Sequence, residues 1–211
     1  MRGRRRAPPP PARPRAAPSA SPLRSPLLWL YGAVLLIHVG VHSGLAGWTS
    51  SYLTRTTGLD AAQGALVTAG FWLATTLGRV VGAGLMGRVA PLRILRFFLG
   101  GAVLGSLLLV VSTGSAPLSV AALLLVGLGH APVFASMVGL AASLFPQSPG
   151  TAGSLVMTLG TVGGMLLPWL QGVLLAGPGP RAGVALTAAG TVAMLLLLLP
   201  GGPPPTRRGP A

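Results

Sequence analysis

Two histidines four residues apart lie within a long apolar run. The segment IHVGVHSGLAGWTSSYL, residues 37–53, contains His38 and His42. A neutral imidazole can bind a proton, a metal ion or a polar solute, and it titrates close to physiological pH. Buried ionisable side chains in lipid-embedded segments usually mark a functional site. The pair therefore predicts a site for a solute or a proton inside this run.

Helical spacing separates two faces of this segment. At about 100° per residue, one face carries the polar and aromatic side chains, which are His38, His42, Thr49 and Tyr52. The opposite face carries Gly40 and Gly44, a G-x-x-x-G pair that lets another helix approach closely. We expect the polar face to line a water-filled cavity; hydrogen bonds from each imidazole to a neighbouring helix are the simpler alternative. Without a third ligand nearby in sequence, we predict neither a metal site nor a cofactor.

A second apolar run carries the only mid-run positive charge. Arg79 shares a helical face with Trp72 and Thr75. A charge at the bilayer centre costs roughly 2.5–3.5 kcal/mol on insertion scales. The one acidic residue of the chain, Asp60, lies at the other end of the same run. The alternatives for Arg79 are therefore snorkelling to the interface, helix carbonyls, an anionic or polar substrate, or a carboxylate on another chain.

Further site candidates occur in the fourth and fifth runs. In GLGHAPVFASM, Pro132 removes a backbone donor and is expected to disturb the helix next to His130. Thr158 and Thr161 are predicted to lie in the cavity opposite His38 and His42. The remaining candidates are residues for helix packing or hinge motion, namely Gly163, Gly164 and Pro168.

The composition requires a membrane environment. The 211 residues are 51% hydrophobic and 8% charged, whereas soluble domains have about a quarter charged residues. Apolar runs long enough to cross a bilayer occur six times, at about 27–53, 62–86, 93–112, 118–144, 151–176 and 182–200. The predicted fold class is an all-α integral membrane bundle of six transmembrane helices. A soluble nucleic-acid-binding protein is not expected despite the formal charge of +14, since no recognition module follows the basic N-terminal stretch.

The distribution of arginines predicts the orientation of the chain in the membrane. Residues 1–26 are rich in arginine and proline and are expected to form a disordered cytoplasmic tail or linker; residues 201–211 are expected to form a cytoplasmic tail. With both termini inside, the inner segments hold twelve arginines, including Arg88 and Arg93 in the second connection, and the outer segments hold two. The positive-inside rule therefore favours cytoplasmic termini, and we expect the plasma (inner) membrane.

Several motifs resemble one transporter family. The segments HVGVHSGLAGW, GFWLATTLGRVVG and GRVAPLR, followed by a long stretch from GLGHAPVFASM to GGMLLPW, occur in the order and spacing found there. On these motifs the chain is similar to the C-terminal six-helix half, helices seven to twelve, of a major facilitator superfamily transporter, in a sugar-transporter-like branch. Two departures are His42, where that branch has a glutamate, and Gly87, where the inner-loop motif has an aspartate.

The resemblance implies two inverted three-helix units and alternating access. It implies secondary transport of a small polar solute, either sugar-like or an organic anion, with a possible coupling proton or cation carried by histidine. It also implies an N-terminal half, or a second copy of the chain, as partner within the bilayer. The alternatives are a half-size membrane protein that works as a homodimer and a non-transporting membrane binding protein. Rhomboid-type proteolysis is not expected, since the chain contains no G-x-S element.

Overall fold

Helices form the whole of the described structure. The computed structural model describes residues 21–200, and the predicted terminal tails therefore lie almost entirely outside the described residues. After a short 3₁₀ helix, Pro22–Arg24, there are seven α-helices: α1 Pro26–Thr56, α2 Ala61–Leu85, α3 Pro91–Val111, α4 Ala116–His130, α5 Val133–Leu144, α6 Pro149–Ala176 and α7 Pro180–Leu198. Together α4 and α5 form one span, so that within residues 21–200 six helical segments are long and apolar enough to cross a membrane. The predicted fold class is confirmed.

The helices begin one or two residues before the apolar runs. Proline occupies the first turn of five of the seven helices, α1, α3, α4, α6 and α7. Its missing N–H costs nothing there, because the first N–H groups of a helix have no partner within the helix. At α2 the start is a capping box, in which Asp60 and Gln63 bond each other's backbone N–H. Hydropathy does not detect these polar or neutral starts.

The fourth span is interrupted at Pro132, as the sequence predicts. Helix α4 ends at His130 and α5 begins at Val133. Since Pro132 has no N–H, the carbonyl of Leu128 accepts a bond from Ala131 instead, at 3.3 Å. Gly78 on α2 lies against this carbonyl, because it has no Cβ to keep the two backbones apart. The disturbed backbone is covered by protein, the condition under which membrane helices tolerate it.

Helix α1 is the centre of the bundle. It packs against α2, α4, α5, α6 and α7, and its 31 residues give a length of about 46 Å. One hydrophobic cluster surrounds its N-terminal half, with Leu35 and Met137 among its members. A second surrounds its C-terminal half, with Leu45 and Phe71. The histidines of α1 lie between the two clusters.

Glycines bring α1 and α6 together. The backbone of α1 at Gly40 meets Gly163 and Leu167, and at Gly44 it meets Pro168 and Gln171. Gly163 in turn lies against the carbonyl of Leu36 on α1. The G-x-x-x-G face thus contacts α6, which leaves the opposite side of α1 to α2 and α4.

Three arginines bind helix carbonyls. Arg55 donates to the Leu175 carbonyl near the end of α6, and Arg96 donates to the Leu198 and Leu199 carbonyls at the end of α7. A cation at a helix C-terminus is stabilised by the helix dipole. In the connection between α2 and α3, Arg88 donates to the Gly84 carbonyl at 2.8 Å, and Arg93 is exposed.

Candidate functional site

Three histidines from two helices meet in the bundle. The ring centroids of His38 and His42 on α1 are 5.6 Å apart, and that of His130 on α4 lies 5.5 Å from the first and 6.3 Å from the second. Their exposed fractions are 4%, 8% and 0%. We name these three residues the histidine cluster. The break at Pro132 ends α4 at His130, and the glycines before it allow α4 to approach its neighbours.

Most ring nitrogens of the histidine cluster have no hydrogen-bond partner. Within the described residues, both nitrogens of His42 and the Nδ1 atoms of His38 and His130 are buried and unpaired. A buried polar atom without a partner costs roughly 1–3 kcal/mol. Such a concentration of unpaired acceptors and donors is rare in a protein interior, and it is typical of a site that a ligand, a proton or water completes.

One imidazole is held in a defined tautomer. The Nε2 atom of His130 lies 3.2 Å from the hydroxyl oxygen of Thr191 on α7. That hydroxyl donates its own hydrogen to the Thr187 carbonyl at 2.8 Å, so toward the ring it acts as acceptor. His130 Nε2 therefore carries the hydrogen, and Nδ1 has a free lone pair.

Helix α2 covers the histidine cluster on one side. The ring centroid of His42 lies 4.9 Å from Phe71 and 5.0 Å from Trp72. Arg79 is two helical turns beyond Trp72 on the same helix, and its guanidinium is within electrostatic range of His38 and His42. Its side chain is exposed and makes no hydrogen bond or ion pair within residues 21–200. Trp72, 44% exposed, stands between the histidine cluster and the surface.

The polar face of α1 is buried in this structure, whereas the sequence predicts that it lines a water-filled cavity. His38, His42, Thr49 and Tyr52 are all buried. Helices α2 and α4 cover this face at the histidines, and Leu109 of α3 contacts Tyr52. The Tyr52 hydroxyl donates to the Leu109 carbonyl on α3 at 3.0 Å. Thr49 lines a small internal cavity with Tyr52 and Gln171, and its hydroxyl is unpaired among the described residues. Tyr52 therefore has a clear structural contact, and Thr49 lies at a second polar spot in the core.

The threonines of α2 and α6 bond within their own helices. Thr75 is buried and donates to the Phe71 carbonyl. Thr158 and Thr161 donate to the Ser154 and Met157 carbonyls and lie on the exposed side of α6. They do not share the interior with the histidine cluster, because α6 turns Gly160 and Gly163 toward α1 instead. Their assignment to a solute cavity stays a prediction.

Sequence reasoning missed a polar network on α6 and α7. Gln171 Nε2 lies 3.4 Å from the Thr187 hydroxyl, and the Thr187 carbonyl accepts from Thr191. All three side chains are buried. The available signals were the single amide in an otherwise apolar run and two threonines four residues apart, which share a helix face.

The side chains around the histidine cluster do not form a metal-binding group among the described residues. Within the part of the chain that the structure describes, no group of three or more His, Cys, Asp or Glu side chains could hold a metal ion. The only carboxylate, Asp60, is engaged in capping α2. What the arrangement offers is a positive charge, three imidazoles and two aromatic rings, with no acidic group in any described span.

Within residues 21–200, six helical segments are long and apolar enough to cross a membrane, and one of them is broken beside a buried polar cluster; together they define a multi-pass membrane protein. A sequence model of the Major Facilitator Superfamily matches residues 2–168. The chain belongs to the Major Facilitator Superfamily.

Two curated relatives are similar in sequence. One is the "Nitrite extrusion protein" of Bacillus subtilis (strain 168), 30% identical over 152 residues, which covers 69% of this chain and 36% of the relative. The other is the "Probable nitrate/nitrite antiporter NarK1" of Thermus thermophilus, 28% identical over 165 residues, which covers 70% of this chain and 37% of the relative. The chain thus spans little more than a third of the length of these relatives.

Solved structures share the fold. The transporter FucP in its outward conformation has a TM-score of 0.76 at 18% identity, covering 83% of this chain and 42% of that one. The POT family transporter PepTSo has a TM-score of 0.75 at 12% identity, covering 84% and 39%. At this level of identity the likeness concerns the fold alone.

Proposed function

We propose that this chain is the C-terminal six-helix half of a secondary transporter for a small inorganic oxyanion such as nitrate or nitrite. The observation that carries the proposal is Arg79, an exposed guanidinium without a hydrogen-bonding partner in residues 21–200, which lies two helical turns from Trp72, the residue in contact with His42. Since no described span has a carboxylate, the natural partner of this charge is a mobile anion. Arginine offers a planar fork of donors that matches an oxyanion.

The anion is favoured over a sugar. A sugar site needs several polar groups that both donate and accept, whereas the predicted hydroxyls of Thr75, Thr158 and Thr161 bond carbonyls of their own helices. The two curated relatives carry names that refer to nitrate and nitrite. The sequence left two solute classes open, a sugar-like solute and an organic anion. Both considerations support an anion over a sugar, and the names of the relatives favour an inorganic anion.

Transport needs a second set of six helices. In the alternating-access scheme of this family, two halves rock about a midplane site, so we propose that an N-terminal half or a second copy of this chain completes the cavity. The arginine asymmetry favours cytoplasmic termini in the plasma (inner) membrane. A proton or cation is the proposed coupling partner.

The absence of cysteine permits a direct test of the site. The full chain has none, so that a single introduced thiol is the only target for a membrane-impermeant thiol reagent. Thr76 is exposed on α2, one turn from both Trp72 and Arg79. In T76C, nitrate should slow the reaction with the thiol at least threefold, and chloride should not.

Phe97 provides the matched control. It is 80% exposed on α3, on a surface for which we propose no site. In F97C, nitrate should leave the labelling rate unchanged. Equal labelling of T76C with and without nitrate would remove the anion site from α2. A second test places Arg79→Lys or Arg79→Gln in the T76C variant. Nitrate should still slow thiol labelling partly with lysine at position 79, and it should not slow labelling with glutamine there.

A further inference from the structure

We propose that the histidine cluster binds one proton together with each anion, so that proton and anion occupy the site as a pair. The inference rests on the anion function proposed above and adds the coupling partner and the residues that carry it. It starts from four buried ring nitrogens that have no partner in the described part of the chain, which belong to His38, His42 and His130. Three rings in mutual contact form one proton-binding unit, and the proton belongs to the unit as a whole.

Within residues 21–200, the surroundings of the histidine cluster provide no protein counter-charge. From α2, the facing charged group is Arg79, which is itself positive. From α7, the facing group is the neutral Thr191 hydroxyl. On α1, Tyr52 is engaged with the Leu109 carbonyl, and Tyr31 lies two turns before His38. The described spans hold no carboxylate, since Asp60 caps α2.

A proton on the histidine cluster therefore needs an anion. An imidazolium beside a guanidinium, buried and without a counter-ion, combines desolvation with repulsion between like charges. An oxyanion near Arg79 offsets these penalties, because it attracts the two cations at once. By linkage, if the anion favours the proton, the proton favours the anion by the same factor.

Thr191 is a positioning residue in this scheme. Its hydroxyl accepts from His130 Nε2 and so leaves Nδ1 as the free acceptor on this ring. Loss of the threonine acceptor frees the ring to rotate or to change tautomer. Serine keeps the acceptor, and valine removes it with little change in volume.

The test measures proton uptake on anion binding. The full chain in lipid nanodiscs is titrated with nitrate, the anion of a strong acid, which carries no proton itself. Calorimetry in two buffers of different ionisation enthalpy gives the number of protons taken up. We expect about one proton per nitrate, and an apparent Kd that rises by up to about tenfold per pH unit on the alkaline side.

Variants assign the proton to the histidine cluster. In His130→Gln the amide can still donate to Thr191 but cannot bind the proton. Because His38 and His42 remain, proton uptake per nitrate should fall below the wild-type value without vanishing, and the Kd should change less per pH unit than in wild type. Thr191→Val should flatten the pH profile, and Thr191→Ser should restore it. If His130→Gln does not fold, Thr191→Val and Thr191→Ser decide whether His130 takes part in proton binding.

The outcomes separate this inference from the proposed function. Nitrate binding without proton uptake overturns the coupling and leaves the anion site standing. A full pH slope in His130→Gln, or in Thr191→Val where the first variant does not fold, overturns the role of His130 in the coupling. A full pH slope in a variant with His38, His42 and His130 all replaced by Gln overturns the assignment to the histidine cluster. No nitrate binding by the wild-type chain overturns the proposed function and, with it, the coupling.

Discussion

His38 and His130, from helices α1 and α4, face each other edge to face with ring centroids 5.5 Å apart. These helices occupy corresponding positions in the two inverted three-helix units of the family fold. The contact therefore joins the two units at a polar point between the two hydrophobic clusters. Any relative movement of α1 and α4 changes this contact, and α4 has a break in its backbone immediately after His130.

His42 should be replaceable without loss of stability. Both of its ring nitrogens are buried and have no partner in residues 21–200. Leucine therefore removes two unsatisfied polar atoms, each costing roughly 1–3 kcal/mol, and keeps apolar contact with Phe71 and Trp72. We expect His42→Leu to unfold at the same temperature as wild type or a higher one, by tryptophan fluorescence, and to reduce nitrate transport at least tenfold. Wild-type transport in this variant would exclude His42 from the site.

His42→Ala is the companion variant. It should impair transport without lowering the amount of protein in the membrane. Because alanine also removes the ring contacts with Phe71 and Trp72, this variant should be less stable than His42→Leu. The reverse order of stability would mean that leucine does not fit the space that the imidazole occupies between Phe71 and Trp72.

Tyr52 should prove structural. Its hydroxyl donates to the Leu109 carbonyl across the α1–α3 contact, and Tyr52→Phe loses this bond and little else. The expected cost is about 0.5–1.5 kcal/mol in the free energy of unfolding, with the half-saturating nitrate concentration unchanged. A change in that concentration, at unchanged stability, would return Tyr52 to the solute site that the sequence predicted.

Gly163 should not accept a methyl group. A Cβ at this position would strike the backbone carbonyl of Leu36 on α1, and backbone cannot move aside as a side chain can. Gly163→Ala should therefore separate α1 from α6 and cost at least about 1–3 kcal/mol, the usual range for overpacking. Thermal unfolding followed by tryptophan fluorescence measures the effect.

Gly139→Ala is the control for this position. Gly139 lies within α5, and a Cβ there meets no atom within 4 Å. Alanine favours helix over glycine by roughly 1 kcal/mol, so that this variant should be as stable as wild type or more so. Equal destabilisation of both variants would mean that contact with Leu36 does not govern the response.

Arg96 should hold the end of α7 in place. It donates to the Leu198 and Leu199 carbonyls, and such charge-to-dipole contacts contribute about 0.3–2 kcal/mol. Arg96→Leu should increase hydrogen exchange in the last turn of α7 several-fold. Arg93→Leu removes an exposed arginine from the first turn of α3, the helix that also carries Arg96, and should leave the exchange in α7 unchanged. Similar exchange in the two variants would contradict this role.

The sequence alone was sufficient to predict the number of membrane spans, the helix break at Pro132 and the face of α1 on which Gly40 and Gly44 pack. Each follows from local physics: the length and apolarity of a run, the missing donor of proline, and the bare surface of glycine. Helix starts were placed slightly late, since proline in the first turn and the Asp60 capping box do not register as hydrophobic.

Only the tertiary structure decided which polar groups meet. Helical phase placed His38, His42, Thr49 and Tyr52 on one face, but whether water or protein covers a face depends on the neighbouring helices. The structure covers it with α2, α3 and α4, brings His130 to the pair on α1, and leaves Thr158 on the exposed side of α6. Contacts between residues distant in sequence depend on how the helices rotate and cross, and no periodicity within a single helix contains that information.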